Sequence, residues 1–368
     1  MQEDVHPGAR AVVPCYPRSF VMRHPLTSLG HKGALAAGLI AAACGGGSKT
    51  PAGPSEPPVP TYSVTATVFY DQNGNGQLDS GENARVPGVQ VVIGTGTGTS
   101  APGTGVASVT GIREGALTVA VRTESLPGYY EPPPAVPIQV PGGATEVRVP
   151  LTLPIGGNKP NLYLGLGDSI TFGDGSSDRQ GYKLKLQSLL GAHFARAEVQ
   201  TRGRSGDSSA ETAEVTRRTL RDHDPAYTLI LLGTNDWQDQ VCQKQGPAAC
   251  FTIEALREIV ADVKDWDSLP VLATIIPVNP NLAPAGRNTW YDDMNARIKA
   301  LAQEQRVTLA DLNAEFKAAG SLPALFADDV HPNDAGYQVM AQGWFKAISR
   351  ARSAAASSSP RFGFGFRP

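Results

Sequence analysis

The stretch "LYLGLGDSITFGDG", residues 162–175, decides how the larger part of this chain is read. It begins as a buried strand and then breaks into glycine, aspartate, serine and threonine. Leu162 to Leu166 have the composition of core, Gly167 leaves room for a tight turn, and Asp168 is expected to hold that turn. A serine at a strand tip such as Ser169 is either a turn residue or a nucleophile. The rest of the sequence has to separate the two.

From Pro160 onward the strand-like runs "NLYLGLG", "AEVQT", "YTLILLG", "PVLATIIPV" and "VTLADL" alternate with helical patterns. In "YKLKLQSLLGAHF" the residues Tyr182, Leu186, Leu189, Leu190 and Phe194 share one helical face. Further helices are expected over Thr252–Asp265, 289–305 and 333–350. Such alternation builds a parallel sheet covered by helices on both faces, and ligands of such sheets bind beyond the carboxyl ends of the strands. The polar motifs fall at those ends. "GDSIT" brings Ser169, "RSGDSS" brings Gly206, "GTND" brings Asn235, and "ADDVHPNDAG", before the last helix, brings Asp328 and His331. Each motif is weak alone, and their order and shared edge make the combination specific.

These blocks resemble those of the GDSL or SGNH hydrolase superfamily, over residues 160–350. The resemblance implies a flavodoxin-like three-layer α/β/α sandwich around a five-stranded parallel sheet, and an ester hydrolase or transesterase activity. Gly203 is a rival for the glycine of the second block, but "SGDS" matches the family's local pattern better at Gly206.

The chemistry can also be argued from the residues. A serine hydroxyl is a poor nucleophile until a base takes its proton. Of the six histidines, His6, His24 and His31 lie in or before the leader, and His193 sits near the apolar face of a helix. His223 precedes the third strand, at the opposite edge from Ser169. His331 remains as the base, with Asp328 to hold its ring in the working tautomer. The amides of Ser169 and Gly206 and the side chain of Asn235 supply the donors for a tetrahedral oxyanion. No cofactor is called for in catalysis. There is no G-x-S-x-G elbow, which disfavours an α/β-hydrolase proper. Trp237, just past Asn235, either walls the pocket or packs against the core.

Residues 61–155 read differently. "YSVTATVFY", "GVQVVIG", "GALTVAVRT" and "TEVRVPLTL" are Val- and Thr-rich alternating runs separated by Gly and Pro turns, so a small antiparallel all-β sandwich is expected. Within it, "DQNGNGQLDSGE" satisfies the D-x-[DN]-x-[DN]-G-x5-E calcium pattern through Asp71, Asn73, Asn75, Gln77, Asp79 and Glu82. No helices flank this loop, and its surroundings resemble the calcium-binding B-type repeats of bacterial surface adhesins, which implies a structural calcium ion. The glycine-rich "GTGTGTSAPGTG" matches no phosphate loop and is read as a plain loop.

Residues 1–44 read as a leader with a signal peptide, in which the apolar run before Cys44 resembles a lipoprotein lipobox with Ala41 in place of the usual leucine. Cleavage by ordinary signal peptidase is the alternative. Residues 45–60 form a flexible tether, and 351–368 an aperiodic tail. Cys242 and Cys250 are expected to pair as a local disulfide, as suits an exported loop. The formal net charge of -2 and the lack of a long basic run exclude nucleic acid as an expected partner. The expected partner is a small-molecule or polysaccharide ester, with membrane attachment through a lipid anchor only. Two functions follow: an exported serine esterase of short acyl esters such as acetyl, or a surface glycan-binding or adhesion protein with a non-catalytic α/β domain.

Overall fold

The apolar run of Lys159–Gly167 becomes β8, the central strand from which the α/β region is wound. The structure, a computed structural model, describes residues 58–142 and 146–351, and these belong to one compact unit. The leader, Cys44 with its lipidation, nearly all of the tether and all but one residue of the tail lie outside the described residues.

Strand β8 pairs in parallel with β9 (Glu198–Gly203) and β10 (Pro225–Leu231), β10 with β11 (Leu269–Ala273), and β11 with β12 (Thr308–Ala310). The order β12-β11-β10-β8-β9 reverses between β8 and β10, which is where doubly wound sheets open a crevice. Helices α2 (Lys183–Phe194) and α8 (Asp334–Ser349) cover one face, and α3 (Ser209–His223), α5 (Thr252–Asp265) and α6 (Arg287–Gln305) the other. Short helices α1 (Ser169–Phe172), α4 (Gln240–Gln245) and α7 (Leu312–Ala318) complete the set. The sheet is parallel and covered on both faces, as the alternation implied, and has the five strands that the resemblance implied.

Helix α3 is the element that apolar periodicity does not reveal. Its buried face is Ser209, Thr212, Ala213, Thr216 and Leu220, mostly small or hydroxylated. A reciprocal capping box between Ser208 and Glu211 starts it instead.

Residues 62–151 hold seven strands in two sheets. One has the order β4-β1-β7, from Val106–Ile112, Tyr62–Tyr70 and Glu146–Leu151. The other has the order β3-β2-β5-β6, from Gly96–Thr99, Gln90–Ile93, Gly115–Val121 and Val136–Val140. Two expectations are corrected here. The pair β1/β7 runs parallel, because the chain crosses to the other sheet and returns in the direction of β1. The "GTGTGTSAPGTG" segment is not all loop, since Gly96–Thr99 forms β3. A Cβ on Gly98 would stand 2.5 Å from the Ser108 carbonyl oxygen, so only glycine lets β3 lie so close to β4.

The β region is joined to the α/β region by a shared core. Val68, Val91 and Leu151 belong to the same apolar cluster as Leu186, Tyr227 and Trp344. At the seam, Tyr129 donates its hydroxyl to the Pro270 carbonyl at 2.6 Å and accepts the Thr308 amide at 3.1 Å. The Arg85 amide donates to the Phe194 carbonyl, and the Gly103 amide to the His193 carbonyl. Burial holds the Tyr129 phenol above its ordinary range.

Where β8 ends, Asp168 caps α1 by accepting the Ile170 amide at 2.9 Å. Asp168 is fully buried. Desolvation pushes its carboxyl up to about 7, reinforced by the Asp236 charge and opposed by the Ile170 amide and by His331.

Two outcomes follow. Tyr129→Phe strands the Thr308 amide and the Pro270 carbonyl, and is expected to lower stability by about 1–3 kcal/mol in denaturant unfolding while leaving a single transition. Two separate transitions, one for each region, would contradict the shared core. Asp168 binds its proton more tightly folded than unfolded, so its contribution to stability is complete below about pH 4 and falls away as pH rises through about 7. Asp168→Asn keeps the capping oxygen without the charge. Its melting-temperature advantage over wild type should therefore grow between pH 4 and 8, and a constant difference would refute the assignment.

Candidate active site

The register of the parallel sheet sets Gly203, Gly167 and Leu231 side by side, so the loops after β9, β8 and β10 leave the sheet together. Ser169 begins α1 immediately after the Asp168 cap and is 7% exposed. Helix α8 holds this turn from above, where the Tyr337 hydroxyl meets the Ile170 carbonyl at 3.1 Å and the Asp174 carbonyl at 2.6 Å.

His331 comes from the loop before α8, 162 positions from Ser169 in sequence. That loop is closed by the Ala327 amide on the His331 carbonyl, and by Asn333, which donates to the Ala324 and Phe326 carbonyls and caps α8. Asp328 divides its two oxygens between two tasks. Oδ1 accepts the Val330 and His331 amides at 2.9 and 2.7 Å, which shapes the turn. Oδ2 stands 2.8 Å from His331 Nδ1. Nε2 then points at Ser169 Oγ, 2.9 Å away. With Nδ1 protonated toward the carboxylate, Nε2 is the acceptor for the serine hydroxyl. Partial burial pushes the Asp328 carboxyl up, but hydrogen bonds from the His331 amide and ring and the Val330 amide outweigh it and hold the carboxyl below its ordinary value.

The residues expected as oxyanion donors, Gly206 and Asn235, sit on the next two loops. Asn235 Nδ2 donates to the Asp207 carbonyl at 2.9 Å, which ties it to the loop bearing Gly206, and the same nitrogen carries a second N–H. Gly206 is exposed in the left-handed region at φ 90°. Gly203 has a different role. A Cβ there would lie 2.4 Å from the Asp168 carbonyl oxygen and 2.3 Å from the Phe172 amide, so this glycine lets the serine turn pack onto β9.

Three neighbours escaped the sequence reading. Asp236 is 1% exposed and accepts the Ser209 amide, the Ser209 hydroxyl at 2.6 Å and the Thr252 hydroxyl at 2.6 Å, fastening α3 and α5 to the Asn235 turn. Its only signal was its place in "GTND". Tyr291 and Arg287 reach the Thr234 carbonyl from α6. Trp237 is partly buried against the core, with the Arg287 guanidinium 5.0 Å from its ring centroid.

The remaining predicted residues lie elsewhere. Cys242 and Cys250 form a disulfide that closes the loop after α4, with Trp290 Nε1 on the Cys242 carbonyl. His193 packs edge-on against Phe194 and Phe345, and His223 Nδ1 contacts the Thr219 carbonyl. In the loop of residues 71–82, Asp71 accepts the Gly74 and Gly76 amides, Glu82 the Gln72 and Asp79 amides, and Asp79 the Asn73 and Asn75 side chains. Gln77 donates its amide to Asn75 Oδ1. Among the described residues, no three His, Cys, Asp or Glu side chains are grouped as a ready metal site.

Residues 166–339 match the GDSL-like Lipase/Acylhydrolase family. No curated protein matches the chain. Among solved structures, an α/β hydrolase from the metagenome of Lake Arreo, Spain, is 24% identical over 53% of this chain and 98% of its own, with a TM-score of 0.44. An acetyl xylan esterase from Geobacillus stearothermophilus is 22% identical over 53% and 97%, also with a TM-score of 0.44. What surrounds the serine, from residue 166 to residue 339, is a GDSL-like lipase/acylhydrolase domain.

Proposed function

We propose that this protein is an exported serine esterase that hydrolyses short-chain acyl esters, with acetyl as the type group, of small molecules or polysaccharides. The observation that carries the reading is His331, whose two ring nitrogens meet Ser169 Oγ and Asp328 Oδ2 at 2.9 and 2.8 Å. His331 takes the proton as Oγ attacks the ester carbonyl carbon. The carbonyl oxygen gains the negative charge, facing the amides of Ser169 and Gly206 and the free N–H of Asn235. Collapse of the intermediate breaks the bond to the alcohol oxygen, which leaves with the proton from His331. Water, deprotonated by the same ring, then attacks the acyl-serine and releases the acid. Asp328 stays ionised throughout and stabilises the imidazolium.

A short acyl group on a polysaccharide suits an exported esterase with an accessory β region, and the carboxylate of its site keeps contact with water. Asp328 is half exposed. Export rests on the reading of residues 1–44, with lipid attachment at Cys44.

The loop of residues 71–82 is proposed to bind a structural calcium ion. Its donors are all hard oxygens, from Asp71, Asn73, Asn75, Asp79, Glu82 and the Gln77 carbonyl, and Gly74 and Gly76 take positive φ. Such an ion would stiffen the β region and has no part in the ester chemistry.

Ser169→Ala is expected to abolish hydrolysis of aryl acetates, and Asn235→Ala to lower kcat by about 100- to 1,000-fold. Rates across aryl esters of graded chain length and a panel of acetylated glycans should fall off beyond short acyl groups. Wild-type rates in Ser169→Ala, or glycan binding with no hydrolysis by the native protein, would favour the non-catalytic alternative. Calcium at about 100 times its Kd should stabilise the protein by about 2.7 kcal/mol, an increment that Glu82→Gln diminishes. Melting curves indifferent to calcium and to chelator would remove the ion from the account.

A further inference from the structure

Arg287 occupies a position that helix formation does not explain. It is the first residue of α6, where the helix dipole disfavours a cation, and the first turn of α6 has no acidic residue to offset it. It is also 5% exposed. A buried guanidinium is costly unless its N–H groups are engaged.

They are engaged by the two loops that carry the chemistry. Nε donates to the Tyr291 hydroxyl at 2.9 Å, and that hydroxyl donates to the Thr234 carbonyl at 2.8 Å. Nη2 reaches the same carbonyl at 3.4 Å, one residue before Asn235. Nη1 reaches Asp329 Oδ2 at 3.4 Å, one residue after Asp328 and two before His331. Its central carbon lies 5.0 Å from the ring centroid of Trp237, two residues past Asn235. Asn279 backs the same joint by donating its amide to the Asp329 carbonyl and its side chain to the Asp328 carbonyl.

We propose that Arg287 is a positioning residue of this site, whose forked guanidinium fixes the separation between the Asn235 turn and the His331 loop so that oxyanion donor and base face one substrate carbonyl. The role rests on the ester-hydrolase reading. Lysine at this place keeps the charge without the fork and reaches one loop at a time.

The test is a double-mutant cycle on aryl acetate hydrolysis by the full chain. Arg287→Met should lower kcat by about 10- to 100-fold, as a misplacement of about 1 Å does, with KM changed less than threefold. Arg287→Lys should recover part of the loss. In an Asn235→Ala background, the further loss from Arg287→Met should shrink to less than threefold, because the donor it aligns is gone. Equal fold losses in both backgrounds would assign Arg287 to general stability and overturn the proposal. If Arg287→Met does not fold, Asp329→Asn, at the half-exposed end of the joint, should give a smaller kcat loss with the same dependence on Asn235, and independence from Asn235 would overturn the proposal equally. Ser169→Ala separates the two readings: activity retained there removes the esterase and the positioning role together. An inactive Ser169→Ala beside a fully active Arg287→Met removes the positioning role alone.

Discussion

The site depends on one alignment, the row in which Gly203, Gly167 and Leu231 lie side by side in adjacent parallel strands. Side chains alternate along a strand, so a slip of one residue would reverse the face of every residue that follows. In this register three turns leave the same edge together, and they bring Ser169, Gly206 and Asn235 within a few residues of their strands. His331 arrives by a different route. Its loop carries its own turn, built on Asp328 Oδ1, and α8 clamps the serine turn through Tyr337. Ser169 and His331 are thus tied twice, once through their hydrogen bond and once through the helix behind them.

Three carboxylates surround this edge, and their surroundings divide their roles. Asp236 is buried but fully engaged by an amide and two hydroxyls, so it acts as a structural joint. Asp168 is as deeply buried with one backbone amide on Oδ1, and desolvation pushes it up to about 7. Asp328, which the proposed mechanism keeps ionised beside an imidazolium, is the one left half exposed and given two amides besides the ring. The carboxylate to which the proposed mechanism gives an electrostatic role is the one least removed from water. That agrees with the several kcal/mol that burying an uncompensated charge costs.

Much of this was legible in the residues. The strand "NLYLGLG", the α5 boundaries and the four edge motifs are local patterns, and each stands where its pattern placed it. The local pattern "SGDS" favoured Gly206 over Gly203, and the fold gives each its own reason, Gly203 from a neighbouring strand and turn and Gly206 from its own backbone. Helix α3 was hidden because its buried face is hydroxylated rather than apolar. β3 was hidden because its glycines answer to the Ser108 carbonyl on another strand. Arg287 was invisible for the same reason. Its partners Thr234 and Asp329 lie 53 and 42 positions away, and no local spacing records a contact of that kind.

The β region meets the sheet near the amino ends of its strands. Tyr129 inserts its hydroxyl between β11 and β12, and Tyr227 packs both against Tyr129 and face to face with Tyr163, whose ring centroid is 4.8 Å away. A partner packed at that end leaves the carboxyl edge clear, so it can add buried apolar surface without closing the crevice. It also removes the freedom expected of a flexible spacer, because a shared core transmits the position of one region to the other. Stiffening of the loop at Asp71 and Glu82 would then act on the whole unit: the Tyr70 that precedes it packs edge-on against Tyr130, and Tyr130 lies against Phe194 at the end of α2. The chain from that loop to the sheet is continuous packing, and the β region is accordingly a foundation for the catalytic edge.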